Sequence, residues 1–175
     1  MRANPRNFEI AWLTLSVVAT VGSGLVAGYI IAFSDVVDGL SWVEAGKAID
    51  AMKAMNEVVV LNPLFLIIFL GTPALAIVLA IGSVSTWASP ATWATIAGAL
   101  LLSLGVIAVT MTVHVPINSQ LADLNSQSEG MAEVWNDLIG RWATWNHVRA
   151  ISAALACFAF VCAVIARTRV AYAAD

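Results

Sequence analysis

Charge is what this sequence most conspicuously lacks. Asp, Glu, Lys and Arg make up 11% of its 175 residues, against 61% hydrophobic. A water-soluble globule is thereby excluded, because such a chain would expose far too much apolar surface. Lys and Arg number eight in all and are scattered, so no basic patch exists and nucleic acid is not an expected partner. Cysteine is almost absent. Cys157 and Cys162 lie in a single apolar run, at a spacing that is neither a redox pair nor a metal motif, and they read as small buried apolar side chains. The two histidines, His114 and His147, stand far apart. No Ser-His-Asp set, glycine-rich phosphate loop or dinucleotide fingerprint is present, and Gly22-Ser-Gly24 falls in the middle of an apolar run.

The stretches Ile10–Ser34, Val58–Val113 and Ala150–Ala166 carry none of the charged residues. A membrane span needs roughly 20 apolar residues, so the expected fold is all-α: an integral membrane four-helix bundle with helical extracytoplasmic loops, in a single domain over 1–175. The spans are expected at about 10–33, 58–81, 91–113 and 150–166, and the outer loops at 34–57 and 114–149. Acids such as Asp35, Glu57, Asp123 and Asp137 gather in the two long connections, whereas Arg2, Arg6, Arg167 and Arg169 flank the termini. Short basic flanks favour the cytoplasm. The expected location is a bacterial inner (plasma) membrane with both termini cytoplasmic.

Finer features follow from spacing. Trp42, Ala45, Ile49, Met52 and Val59 share one face of an amphipathic helix in the first outer loop. Pro73 predicts a kink in the second span. Gly24 and Gly28 form a G-x-x-x-G pair that lets a neighbouring helix come close. Trp87 and Trp93 bracket the inner turn as interfacial belt residues.

The stretch Trp135–Arg149 organises the functional reading. Trp135, Leu138, Trp142, Trp145 and Arg149 recur at helical spacing on one face, with Asn146 at its edge and His147 on the far side. A cation at membrane depth must face protein and find a partner, and Glu57 and Asp35 are nearest by expected depth. Arg149 is then either a structural clamp to a carboxylate or, with asparagines, a cradle for an anionic oxygen. His114 precedes Pro116, which is expected to break the helix and turn side chains inward. The candidate catalytic residues are therefore Arg149, His114 and Glu57, the last two as alternative bases. The candidate substrate-binding residues are Asn62, Asn118, Trp142, Trp145 and Asn146. No metal ligand is assigned, and haem or a metal held through His114 is the alternative.

The phrases MNEVVVLNPLFLIIFLGTP, VHVPINSQL and RWATWNHVRA resemble the anthrone oxygenase family, a group of small four-span membrane proteins. The family pattern maps onto Asn56, Asn62 and Pro63 in the first phrase, and onto Pro116, Asn118 and Leu121 in the second. In the third it maps onto Trp142, Trp145, Asn146 and Arg149. His114 stands where the family more often carries asparagine. The resemblance implies oxidation of anthrones to anthraquinones by dioxygen with no evident cofactor. The expectation is an oxygenase-like membrane protein acting on an apolar aromatic or quinol-type substrate at the outer membrane boundary. The alternative is a non-catalytic membrane protein that binds a lipid, quinone or haem, or an accessory subunit of a larger complex. Membrane lipid and an apolar small-molecule substrate are the expected partners, with a homo-oligomer or larger membrane assembly left open.

Overall fold

Proline and its preceding cap residue set two of the helix starts, at Asn62-Pro63 and Ser89-Pro90. The computed structural model describes residues 5–173. Within them run α1 (Pro5–Leu40), α2 (Ala45–Leu61), α3 (Pro63–Ser83), α4 (Pro90–Asp123) and α5 (Met131–Ala173), with a short helical turn at Val84–Thr86. No strand occurs among the described residues. All but α2 are long and apolar enough to cross a membrane, so the protein is an integral membrane four-helix bundle with α2 as a helical cap. Arg2 lies outside the described residues, as does the side chain of Arg6.

The α2–α3 break falls at Asn62. A residue before proline is pushed out of the helical region, and Asn62 is extended at φ −84°, ψ 106°. Its Oδ1 accepts from the Phe65 N–H at 3.1 Å, capping α3 with Pro63 in the first turn. Val58–Leu61 thus close α2, and the second span starts at Pro63 rather than Val58. Ser89 and Pro90 start α4 in the same way, with Ser89 Oγ accepting from Ala91 N–H at 3.3 Å.

The expected outer loops are largely continuations of the spans. α1 runs on to Leu40, α4 to Asp123, and α5 carries the Trp–Arg stretch and the last span as one helix. The buried face of α2 is Gly46, Ala48, Ile49 and Met52. Trp42 precedes that helix and is 91% exposed, so it does not share the face as expected. Gly46 is required there, because a Cβ would stand 2.6 Å from the Ser126 carbonyl oxygen. Lys53 Nζ donates to the Leu124 carbonyl at 2.6 Å, tying α2 to the end of α4.

Close helix approach is not made by Gly24 and Gly28 as expected. A Cβ on Gly28 would meet nothing within 4 Å, and one on Gly24 would touch only Cys157 Sγ at 3.7 Å. The tight contacts between spans are Gly22 on Thr72, Gly82 on Trp12, Gly98 on Phe160 and Gly105 on Ser152. Pro73 is buried within an unbroken α3.

Two apolar clusters result. One fills the bundle, from Trp12, Ala19 and Ile30 to Phe69, Ala153 and Phe160. The other joins the cap to the bundle through Val37, Ile49, Met52, Leu121, Trp135 and Trp142. The candidate site lies where they meet.

Candidate functional site

Arg149 sits on α5 between the clusters and is buried, at 8% exposure. Its Nη1 donates to Thr110 Oγ1 at 3.0 Å, and its Nη2 donates to Asn146 Oδ1. Asn146, also buried, spends its amide on α1: Nδ2 donates to Ser34 Oγ at 2.6 Å and to the Ile30 carbonyl at 3.2 Å. The guanidinium lies 5.7 Å from the centre of the Trp142 ring, within cation–π range. Among the described residues no carboxylate pairs with Arg149. Glu57 and Asp35, its expected partners, are exposed. The charge is therefore oriented by neutral groups and left uncompensated.

α4 brings the other half of the site. Its turns widen over Leu101–Ala108 and again over Thr110–His114 to a five-residue hydrogen-bond register. Such π-type turns are rare and concentrate at functional sites. They directly precede Pro116, whose ring cannot donate and crowds the carbonyl four residues back, so the widened register takes up the clash. Pro116 therefore does not break the helix as expected. The widened register also brings Thr110, Met111, His114 and Asn118 to a common cavity. His114 is buried, with Nδ1 3.5 Å from the Val109 carbonyl and its ring edge-on to Trp142 at 5.0 Å.

That cavity has a volume of about 280 Å³, close to the lower end of small-molecule pockets, roughly 300–1,000 Å³. Rings in contact form an arc along its wall: Phe69 to Phe65 at 5.0 Å, Phe65 to Tyr29 at 4.6 Å, Tyr29 to Phe33 at 6.2 Å and Phe33 to Trp142 at 5.6 Å. Among the described residues four buried side-chain atoms lack a hydrogen-bond partner: His114 Nε2, Asn118 Oδ1, Trp142 Nε1 and Arg149 Nε. All four belong to residues that line this one cavity. A buried unsatisfied group costs about 1–3 kcal/mol, so the convergence of four in one cavity singles it out as the candidate site.

The candidate residues divide accordingly. Arg149, His114, Asn118 and Trp142 come together around the cavity, and Asn146 supports it from behind. Trp145 is 42% exposed and does not line the cavity, so it forms no wall with Trp142. Glu57 is likewise outside it, and Asn62 serves as the α3 cap in a separate groove between α1 and α3. Tyr29, Phe33, Phe65, Phe69 and Thr110 escaped the sequence reading, because aromatic and threonine side chains are ordinary in apolar spans. Among the described residues no three His, Cys, Asp or Glu side chains gather as metal ligands.

A profile of the anthrone oxygenase family matches residues 65–162, which is more than half of the chain and includes His114, Asn118, Trp142 and Arg149. The chain belongs to the anthrone oxygenase family. No curated protein and no solved structure shows significant similarity to it. The matched segment of this anthrone oxygenase family member carries every unpartnered polar group of the cavity; Asn118, Trp142 and Arg149 follow the resemblance read from the sequence, whereas His114 departs from it. Tyr29 and Phe33, which build part of the ring wall, come from the unmatched α1.

Proposed function

We propose that this cavity binds a fused-ring aromatic ketone and oxygenates the ring methylene opposite its carbonyl with dioxygen. The observation that carries this reading is the convergence of four unpartnered polar atoms on a cavity otherwise walled by aromatic rings. Trp142 Nε1–H and Arg149 Nε–H are donors only, suited to a carbonyl oxygen and better suited to the oxyanion it becomes. His114 Nε2 is the group placed to take the methylene proton. Its Nδ1 faces the Val109 carbonyl, which can only accept, and a ring that donates from Nδ1 holds its lone pair on Nε2.

Loss of the methylene proton to His114 leaves an enolate whose oxygen rests on the two donors. The electron-rich carbon passes electrons to dioxygen and forms a C–O bond, and the proton returns to give a hydroperoxide. Loss of the second C–H proton with cleavage of the O–O bond releases water and leaves a second carbonyl. One ring CH₂ and one O₂ thus become one C=O and one H₂O. Glu57 is exposed outside the cavity and is not proposed as the base.

The test is oxygen uptake by purified protein in lipid nanodiscs given anthrone, with anthraquinone followed by absorbance after subtraction of spontaneous oxidation. The expected result is one O₂ consumed per quinone formed, lost in Arg149→Gln and His114→Phe and retained in Glu57→Gln. Binding of anthraquinone without any accelerated oxygen uptake would replace this reading with that of a quinone-binding protein.

A further inference from the structure

Several residues lining the cavity are also heavily exposed. Val60 is 63% exposed, Leu70 53%, Met111 61% and Val115 43%. Residues that both line the cavity and stand largely open to the outside lie at its rim. They come from the end of α2, the first half of α3 and the second half of α4. α3 packs mainly along the Pro90–Leu100 portion of α4, less along Leu101–Ala108 and least toward Thr110–His114, so the gap between the two helices falls where Leu70 and Met111 line the cavity.

The gap lies at membrane depth. At 1.5 Å per residue, Leu70 is roughly 10 Å along α3 from Pro63, and Met111 is roughly 15–18 Å from the Asp123 end of α4. No Asp, Glu, Lys or Arg occurs between Glu57 and Asp123, so the rim carries no charge. The other approaches are covered. Asn56 and Val59 of α2 roof the cavity toward the loops, and the Tyr29–Phe65 ring pair lies between it and the α1–α3 groove, lining both.

We propose that the cavity opens sideways into the hydrocarbon between α3 and α4, and that its substrate enters from the bilayer past Leu70 and Met111 rather than from water. The substrate class rests on the oxygenase reading, whereas the route rests on the gap alone. An apolar fused-ring ketone concentrates in the bilayer, as does dioxygen, so one lipid-facing mouth admits both reactants. The flexible Met111 side chain stands at the rim, where it can yield to a passing ring.

The route is tested by spin labels at Leu70→Cys and Met111→Cys in a Cys157→Ala/Cys162→Ala background, reconstituted in phosphatidylcholine vesicles. Both labels are expected to collide far more with dioxygen than with a water-soluble nickel chelate, matching a label at the exposed Ile67→Cys and opposite to one at Glu57→Cys. Chelate collisions at 70 and 111 as frequent as at 57 would overturn the proposal. In turnover, Leu70→Trp and Met111→Trp should each lower kcat/KM for anthrone at least tenfold. Unchanged kcat/KM in both would also overturn it. Lipid-facing labels in a protein that does not oxygenate anthrone would support the route and reject the oxygenase reading, so the two fail separately.

Discussion

Arg149 owes its orientation to neutral neighbours, and the chain Ser34–Asn146–Arg149–Thr110 connects three helices through a single cation. Asn146→Leu removes an acceptor from the guanidinium and the amide that reaches Ser34 and Ile30. It should cost about 1–3 kcal/mol, read as a lower thermal midpoint in detergent. Trp142→Phe keeps the ring and deletes the unpartnered Nε1–H, so it should weaken anthraquinone binding severalfold with little loss of stability. Trp145→Phe should leave binding unchanged, and fluorescence titration separates the two. The contrast shows what helical phase can and cannot tell. At about 100° per residue, Trp135, Trp142 and Arg149 lie within a narrow arc, with Asn146 and Trp145 on opposite flanks of it. By spacing the sequence puts Trp145 on the face and Asn146 at its edge. The fold buries the asparagine flank because Ile30 and Ser34 of α1 pack there, a tertiary fact that no local spacing encodes.

Among the elements, α4 departs furthest from what its composition foretells. Its wide turns have no residue signature of their own, and Pro116 alone hinted at irregularity. The effect is nonetheless what brings Thr110 and His114 into the site. The helix can hold that course only because it lies tightly on α5 at Gly105, where an added Cβ would run into the Cβ and Oγ of Ser152. Gly105→Ala should therefore destabilise the protein by about 1–3 kcal/mol through overpacking, whereas Gly28→Ala, with open space at its Cβ, should be neutral in the same thermal assay. The start of α4 was legible to within a residue, whereas the start of α3 was not, although Asn62-Pro63 and Ser89-Pro90 are local capping signals of the same kind. The α2 boundary shifted from the expected one only because an apolar run at Val58–Leu61 looks alike in a cap and in a span.

At the scale of the whole molecule, four apolar runs were enough to establish the bundle, because the length of a span is set by the bilayer and not by packing detail. Its closure was hidden. Glu9 of α1 and Arg167 of α5 form a two-pronged ion pair at 2.9 and 3.0 Å, with the guanidinium 5.0 Å from the centre of the Trp12 ring, at the end of the bundle opposite the cap. The carboxylate side is half exposed, so Glu9→Gln should cost less than about 1 kcal/mol and leave oxygen uptake untouched. Cap, cavity and ion pair thus stack along one axis, with the uncompensated cation at the level where cap meets bundle. The most direct test of that cation's role is a structure of the protein in nanodiscs with anthraquinone bound. The account predicts ring density against Phe65 and Trp142, with one quinone oxygen in hydrogen-bond reach of Arg149 Nε and Trp142 Nε1. A quinone seated elsewhere, with ordered water or a lipid headgroup satisfying those two donors, would contradict it.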